Sequence, residues 1–102
     1  MSTPLTLRTG VHSDGRPLLA VQGEIDMTNL AAFGGALSAA LAEATSVVVD
    51  LGEVDYLDSG AINALFSHAD HLHIICNPLL LPALRISGLT ELVTIESAAA
   101  RP

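Results

Sequence analysis

Only three aromatic residues, Phe33, Tyr56 and Phe66, occur among 102, and there is no tryptophan. No core of large rings can form, so Leu, Val, Ile and Ala must fill the interior. A single cysteine, Cys76, excludes an intrachain disulfide and any CxxC metal site. Basic residues are scarce, four against eleven acidic ones, for a formal charge of −7. Affinity for nucleic acid and for anionic lipid comes chiefly from Lys and Arg meeting phosphates. Nucleic acid and membrane surfaces are therefore excluded as main partners. No stretch reaches the roughly 20 apolar residues needed to span a bilayer; the longest, Leu30 to Ala42, contains Gly34, Gly35 and Ser38. Met1 to Gly10 has neither the basic patch nor the apolar core of a signal peptide, so a cytoplasmic location is expected.

What is present is mostly aliphatic. Half of the residues are apolar, and the mean hydropathy is +0.52. A dense Ala/Leu-rich core accounts for this; an apolar patch covered by a partner is the alternative. The length suits one core and not two. A single domain over residues 1–102, ordered from about 5 to 96, is expected.

Leu5-Thr6-Leu7-Arg8-Thr9 alternates apolar and polar, the period of a half-buried strand. The Asp14-Gly15 turn then leads into Leu18-Leu19-Ala20-Val21, an apolar run that suits a strand buried on both faces. Phe33, Leu37 and Leu41 recur every fourth residue within Leu30 to Glu43, the stripe of a helix. Asp26 or Thr28 is positioned to cap it. Gly34 and Gly35 weaken that helix, and a close approach to another backbone would explain them. Ser46 to Leu51 is β-branched and short, a strand parallel to the previous one through a βαβ unit. Gly52 to Asp58 reads as an acidic loop, and Ser59 opens a second helix to about Ala69 with Ile62, Leu65 and Phe66 inward. Leu72 to Cys76 is a further strand. Pro82 starts a third helix, which Gly88 breaks; a short turn follows from Thr90, with a disordered tail from Ser97.

Chemistry concentrates where the chain leaves the Ser46–Leu51 strand. Asp50 to Gly60 carries Glu53, Asp55 and Asp58 into a helix start at Ser59. Ligand and partner sites of open α/β sheets gather at that edge, and a hydroxyl at a helix N-terminus lies where free N–H groups favour phosphate. The plainer alternative is that Asp58 or Ser59 simply caps the helix.

Gly23-Glu24-Ile25-Asp26, Val47-Val48-Val49-Asp50-Leu51, Tyr56-Leu57-Asp58-Ser59-Gly60-Ala61-Ile62-Asn63-Ala64-Leu65 and Ser87-Gly88-Leu89-Thr90-Glu91-Leu92 occur in this order. The chain thereby resembles the STAS family, whose pattern is G-E-[LI]-D, V-x-x-D-[LF], D-S-[ST]-G-L and T-G-L-x-x-L. The resemblance spans about Leu5 to Ile95. It implies an α/β fold with a single mixed sheet of four to five strands and three to four helices. It further implies an anti-sigma factor antagonist, a non-enzymatic protein-binding regulator of sigma-factor-dependent transcription. The implied partner is an anti-sigma factor of the serine-kinase type, with a serine phosphatase to reset the switch. The implied contact residues are Glu24, Asp26, Asp55, Asp58, Ser59 and Gly60, with Ser59 phosphorylated and no cofactor. Two departures bear on this. Gly60 falls where the phosphoacceptor usually sits and Ala61 replaces the family glycine, so the switch is either moved to Ser59 or absent. The stretch before Leu72 is also shorter than usual by roughly two helical turns, so the central helix ends early. The alternative is a STAS subunit supporting a lipid-transport ATP-binding cassette complex, which carries a D-[ST]-G pattern close to Asp58-Ser59-Gly60.

His68, Asp70, His71 and His73 form the other cluster. His68 and His71 stand one helical turn apart and suit zinc, but His73 falls in the next strand and Asp70 points off their stripe. A solvated helix end is the favoured reading, and a zinc-dependent hydrolase ranks far below. Cys76 is expected to be a small buried apolar residue.

Overall fold

The Asp14-Gly15 turn makes the expected hairpin. In the computed structural model, which describes residues 4–98, strand β1 (Thr6–Val11) runs antiparallel to β2 (Pro17–Ile25). Asp14 accepts from the Arg16 backbone at 3.1 Å and from its Nε at 2.8 Å. The guanidinium holds the Asp14 carboxyl well below the usual carboxylate range.

From β2 the chain climbs through three crossovers. Helix α1 (Leu30–Leu41) leads to β3 (Val47–Leu57), α2 (Ser59–Ser67) to β4 (Leu72–Cys76), and α3 (Leu81–Ser87) to β5 (Thr94–Ser97). The sheet order is β1-β2-β3-β4-β5, and β2 to β5 are mutually parallel. This is a single mixed α/β sheet, as expected. Right-handed connections between neighbouring parallel strands put all the crossover helices on one face. There Phe33 and Leu37 of α1, Ala61 and Leu65 of α2, and Leu84 of α3 join Leu19, Val21, Val49, Leu51 and Ile74 of the sheet in one buried cluster. Cys76 belongs to it as well; burial pushes its thiol pKa up.

The other face carries no helix. Val48 is nevertheless fully buried there, between its register partners Leu18 and His73. His73 is fixed over it by Glu96, Nε2 to Oε1 at 2.6 Å.

Several sequence expectations change. The run Leu18 to Val21 is not buried on both sides: Leu19 and Val21 are buried, Leu18 and Ala20 only partly. Gly52 to Leu57 is no loop but the second half of β3. Two bulges run through it, because Ala20 and Gln22 pair with Asp50 and Glu53, and Gly23 and Glu24 with Val54 and Tyr56. Each bulge adds one residue on β3. Gly23 meets this shift with a φ of 104°, a conformation that costs glycine little. Helix α1 ends at Leu41 rather than Glu43, and a Cβ at Gly34 or Gly35 would meet nothing within 4 Å. No close backbone approach explains those glycines. After α2 a 3-10 turn, Ala69–His71, completes the connection to β4. Finally, Ser97 lies in β5 rather than in a disordered tail, since β5 pairs with β4 from Thr94 on; residues 99–102 lie outside the described residues.

The helix-covered face should hold most of the stability. Phe33 is fully buried, and Phe33→Ala is expected to cost about 3–5 kcal/mol in urea unfolding, a large share of the roughly 5–15 kcal/mol typical of a domain. A loss under about 1 kcal/mol would contradict this packing.

Candidate functional site

Strands β2 and β3 end side by side, because Ile25 pairs with Leu57 in register. One residue further, the Asp58 N–H donates to the Ile25 carbonyl at 3.1 Å. The two exit loops therefore share one edge, and the segments around Asp26 and Ser59, 33 residues apart in number, become neighbours.

The first loop locks itself. Asp26 Oδ1 accepts from the Thr28 N–H at 2.9 Å and from the Thr28 hydroxyl. The Asp26 N–H donates to Asn29 Oδ1 at 3.0 Å, and Asn29 Nδ2 donates to the Glu24 carbonyl at 2.8 Å. Neither Asp26 nor Thr28 caps α1, as the sequence had suggested. Asn29 occupies the cap position, with its side chain turned back to the strand end rather than onto the helix. The Thr28 hydroxyl and then the Thr28 N–H hold the Asp26 carboxyl below its ordinary value. Asp26 thus stays charged at neutral pH in a rigid loop.

The second loop is a helix start. Asp58 caps α2, its Oδ1 accepting from the Ala61 N–H at 2.9 Å. Asp58 is therefore the cap and Ser59 is not. Ser59 is exposed at the first helical position, and its hydroxyl makes no hydrogen bond among the described residues. Gly60 is half-buried against α1: a Cβ there would lie 2.9 Å from Leu30 Cδ2 and 3.3 Å from Asp58 Oδ1. Leu30 fills the space that a hydroxyl residue at position 60 would need, which is a steric correlate of the glycine at that position. Asp55 is the residue that the second bulge leaves without a register partner, and it is exposed together with Glu53 and Tyr56. Glu24 is half-buried opposite Tyr56.

The β4 exit joins the same edge. The Asn77 N–H donates to the Leu51 carbonyl and Asn77 Nδ2 to the Val54 carbonyl, both at 3.3 Å. This ties the following turn, Pro78–Leu80, to the far half of β3. Sequence reading did not single out Asn77; the Asn-Pro pair was its only signal. The six residues of the resemblance, Glu24, Asp26, Asp55, Asp58, Ser59 and Gly60, thus lie on two adjoining strand ends.

The histidines do not converge. His71 Nδ1 donates to the Thr45 carbonyl at 3.1 Å, His73 meets Glu96 on the helix-free face, and His68 caps the end of α2. No set of three or more His, Cys, Asp or Glu side chains among the described residues is arranged to hold a metal ion. His68 and His71 instead line, with Glu43 and Thr45, an open hollow of about 520 Å³ at the opposite end of the strands.

Two outcomes are expected. Gly60→Ala should destabilise by about 1 kcal/mol, since the tip of Leu30 must move and Asp58 Oδ1 must give slightly. In a Leu30→Ala background the cost should vanish or reverse; equal effects in both backgrounds, read by chemical denaturation, would contradict the contact. Because the folded-state pKa of Asp26 is depressed, its contribution is present above the ordinary carboxylate range and is lost as pH falls through and below about 4. Denaturation midpoints followed from pH 7 to pH 3 should therefore fall less steeply for Asp26→Asn than for wild type. Parallel slopes would contradict this.

A family model described as "Mlab, STAS domain" matches residues 10–94. Solved structures share the fold. An anti-sigma factor antagonist from Mycobacterium paratuberculosis superposes with a TM-score of 0.83 at 24% identity, over 94% of this chain and 90% of that one. The anti-sigma factor antagonist SpoIIAA in its unphosphorylated form gives 0.72 at 12% identity, over 93% and 90%. An uncharacterized protein with a SpoIIAA-like fold from Shewanella loihica gives 0.62 at 16%, over 97% and 88%. No curated protein sequence matches the chain. With most of its length covered by the family model, and the four motifs following one another through one α/β fold in the order expected, the chain belongs to the STAS family.

Proposed function

We propose that this protein is an anti-sigma factor antagonist. It binds an anti-sigma factor of the serine-kinase type through the edge carrying Glu24, Asp26, Asp55, Asp58, Ser59 and Gly60, and so frees a sigma factor for transcription. The reading rests on one observation above all. The Asp58–Ile25 hydrogen bond sets an exposed serine with an unengaged hydroxyl beside a rigid, charged Asp26 loop. Two of the similar structures are of anti-sigma factor antagonists, which supports it further.

Ser59 is the proposed phosphoacceptor. With Gly60 offering no oxygen, it is the hydroxyl nearest the usual position, and it projects at a helix start where free N–H groups favour an anion. A phosphate would add about −1.5 to −2 charge between carboxylates. Burying that dianion against a partner costs desolvation and pushes Asp26 and Asp58 apart from it, so binding weakens and the partner is released. A serine phosphatase would restore the binding form. The scheme asks no chemistry of the protein itself: His68 and His71 lie at the far end of α2, and the Asp58 carboxylate beside Ser59 is engaged as the helix cap. No helix among the described residues is long and apolar enough to cross a membrane.

Incubation with each serine-kinase anti-sigma factor of the host genome and ATP, followed by mass spectrometry, should place one phosphate on Ser59 and none on Ser59→Ala. Ser59→Asp should bind the cognate factor about tenfold or more weakly, the weakening expected when a new charge meets a buried contact. Equal affinity would remove Ser59 from the switch. Binding to a lipid-transport ATPase instead, with no phosphorylation, would favour the role of a transporter subunit.

A further inference from the structure

We infer that Met27, Tyr56 and Leu79 are the apolar anchors of this edge, and that they fit a protein partner whose contact face is apolar at its centre and basic around it. The inference rests on the reading just given and extends it to the chemistry of the partner.

Six large apolar side chains are exposed among the described residues: Val11, Met27, Tyr56, Leu79, Ile86 and Leu92. Scattered singly over a surface they would mean little. Three of the six, however, stand on the carboxyl ends of three consecutive strands. Met27 is 83% exposed in the loop after β2, between Asp26 and Thr28. Tyr56 is 49% exposed on β3, in register with Glu24. Leu79 is 75% exposed in the turn after β4. The loops are held together by bonds already described, from Asp58 to Ile25 and from Asn77 to Val54. Tyr56 lies two residues beyond Val54, so the three side chains follow one rim.

None of them belongs to the core. Each is left out of the buried cluster and of the partly buried residues packed against it. Tyrosine and methionine are enriched in interface cores, where charged residues are depleted and displaced to the rim. Methionine is also the side chain that best adapts to an irregular apolar pocket. Around the anchors lie Glu24, Asp26, Glu53, Asp55 and Asp58, five of the eleven carboxylates. The cations among the described residues lie elsewhere. The chain has no lysine; Arg8 sits midway along the edge strand β1 opposite Ala20, Arg16 is paired with Asp14, and Arg85 belongs to α3. A complementary surface must therefore bring its own basic groups, which steer the encounter and fix orientation, while the apolar contacts hold the complex. The absence of a basic patch here also argues against a nucleic acid as the occupant.

The test uses the full chain and purified serine-kinase anti-sigma factors of the host genome, titrated calorimetrically. Met27→Ser and Leu79→Ser should each weaken binding of the tightest factor by about tenfold or more, as loss of a buried anchor does. Ile86→Ser, equally exposed at 89% but near the far end of α3, should stay within about twofold. Asp26→Asn with Asp55→Asn should weaken binding and flatten its dependence on salt. Thermal melts of the Met27, Leu79 and Ile86 variants should match wild type; Leu79→Gln replaces Leu79→Ser if they do not. If the carboxylate variant weakens binding while the Met27 and Leu79 variants stay within about twofold, the inference fails and the reading beneath it stands. If no factor binds the wild-type chain, that reading fails and the inference with it.

Discussion

The arrangement depends on how β2 and β3 end together. A parallel pair would ordinarily need equal lengths of strand to finish level. Here β3 carries two extra residues, taken up as bulges, and still brings Leu57 level with Ile25. The backbone bond from Asp58 to the Ile25 carbonyl then closes the pair. Without that closure the Asp26 loop and the Ser59 helix start would be separate features of two strands. With it they form one surface.

The bulges also account for how much charge the edge can carry. A regular strand alternates faces, so half its residues would turn toward the helices. Leu51, Val54 and Leu57 instead reach the core at intervals of three, and the intervening positions are left for glycine, carboxylates and tyrosine. The price of this layout is a strand with broken pairing, offset by Asp50, whose side chain accepts from the Gly52 N–H at 2.9 Å, and by Asn77, which satisfies two carbonyls of β3. Stability therefore sits on the helix side, while the proposed recognition surface is the rim where the strands run out.

Much of this was legible in the residues. Period-four apolar positions marked α1, the β-branched Val47-Val48-Val49 marked β3, and Asp-Gly marked the hairpin. The four family motifs gave the topology as well as the neighbourhood of Asp26 and Ser59. What was not legible followed from interactions that leave little local trace. Apolar residues three apart do not fit a strand period, so the end of β3 read as a loop. Strand β5 has a single inward residue, Ile95, among its four, and is recruited by pairing with β4 and by the His73–Glu96 contact. The histidine run looked like a ligand set only because strand and helix ends bring the residues close in number. Their side chains part toward a carbonyl, a carboxylate and solvent-facing space. The capping choice between Asp26 and Thr28 failed because the two bond to each other, leaving Asn29 at the helix start.

The most direct measurement is an amide hydrogen-exchange map of the protein alone and in complex with the anti-sigma factor proposed as its partner. Added protection confined to residues 24–30, 53–61 and 77–80 is the predicted result. Protection centred instead on the helix-free face around Val48 and His73, or on the hollow lined by His68 and His71, with the strand ends unchanged, would contradict the account.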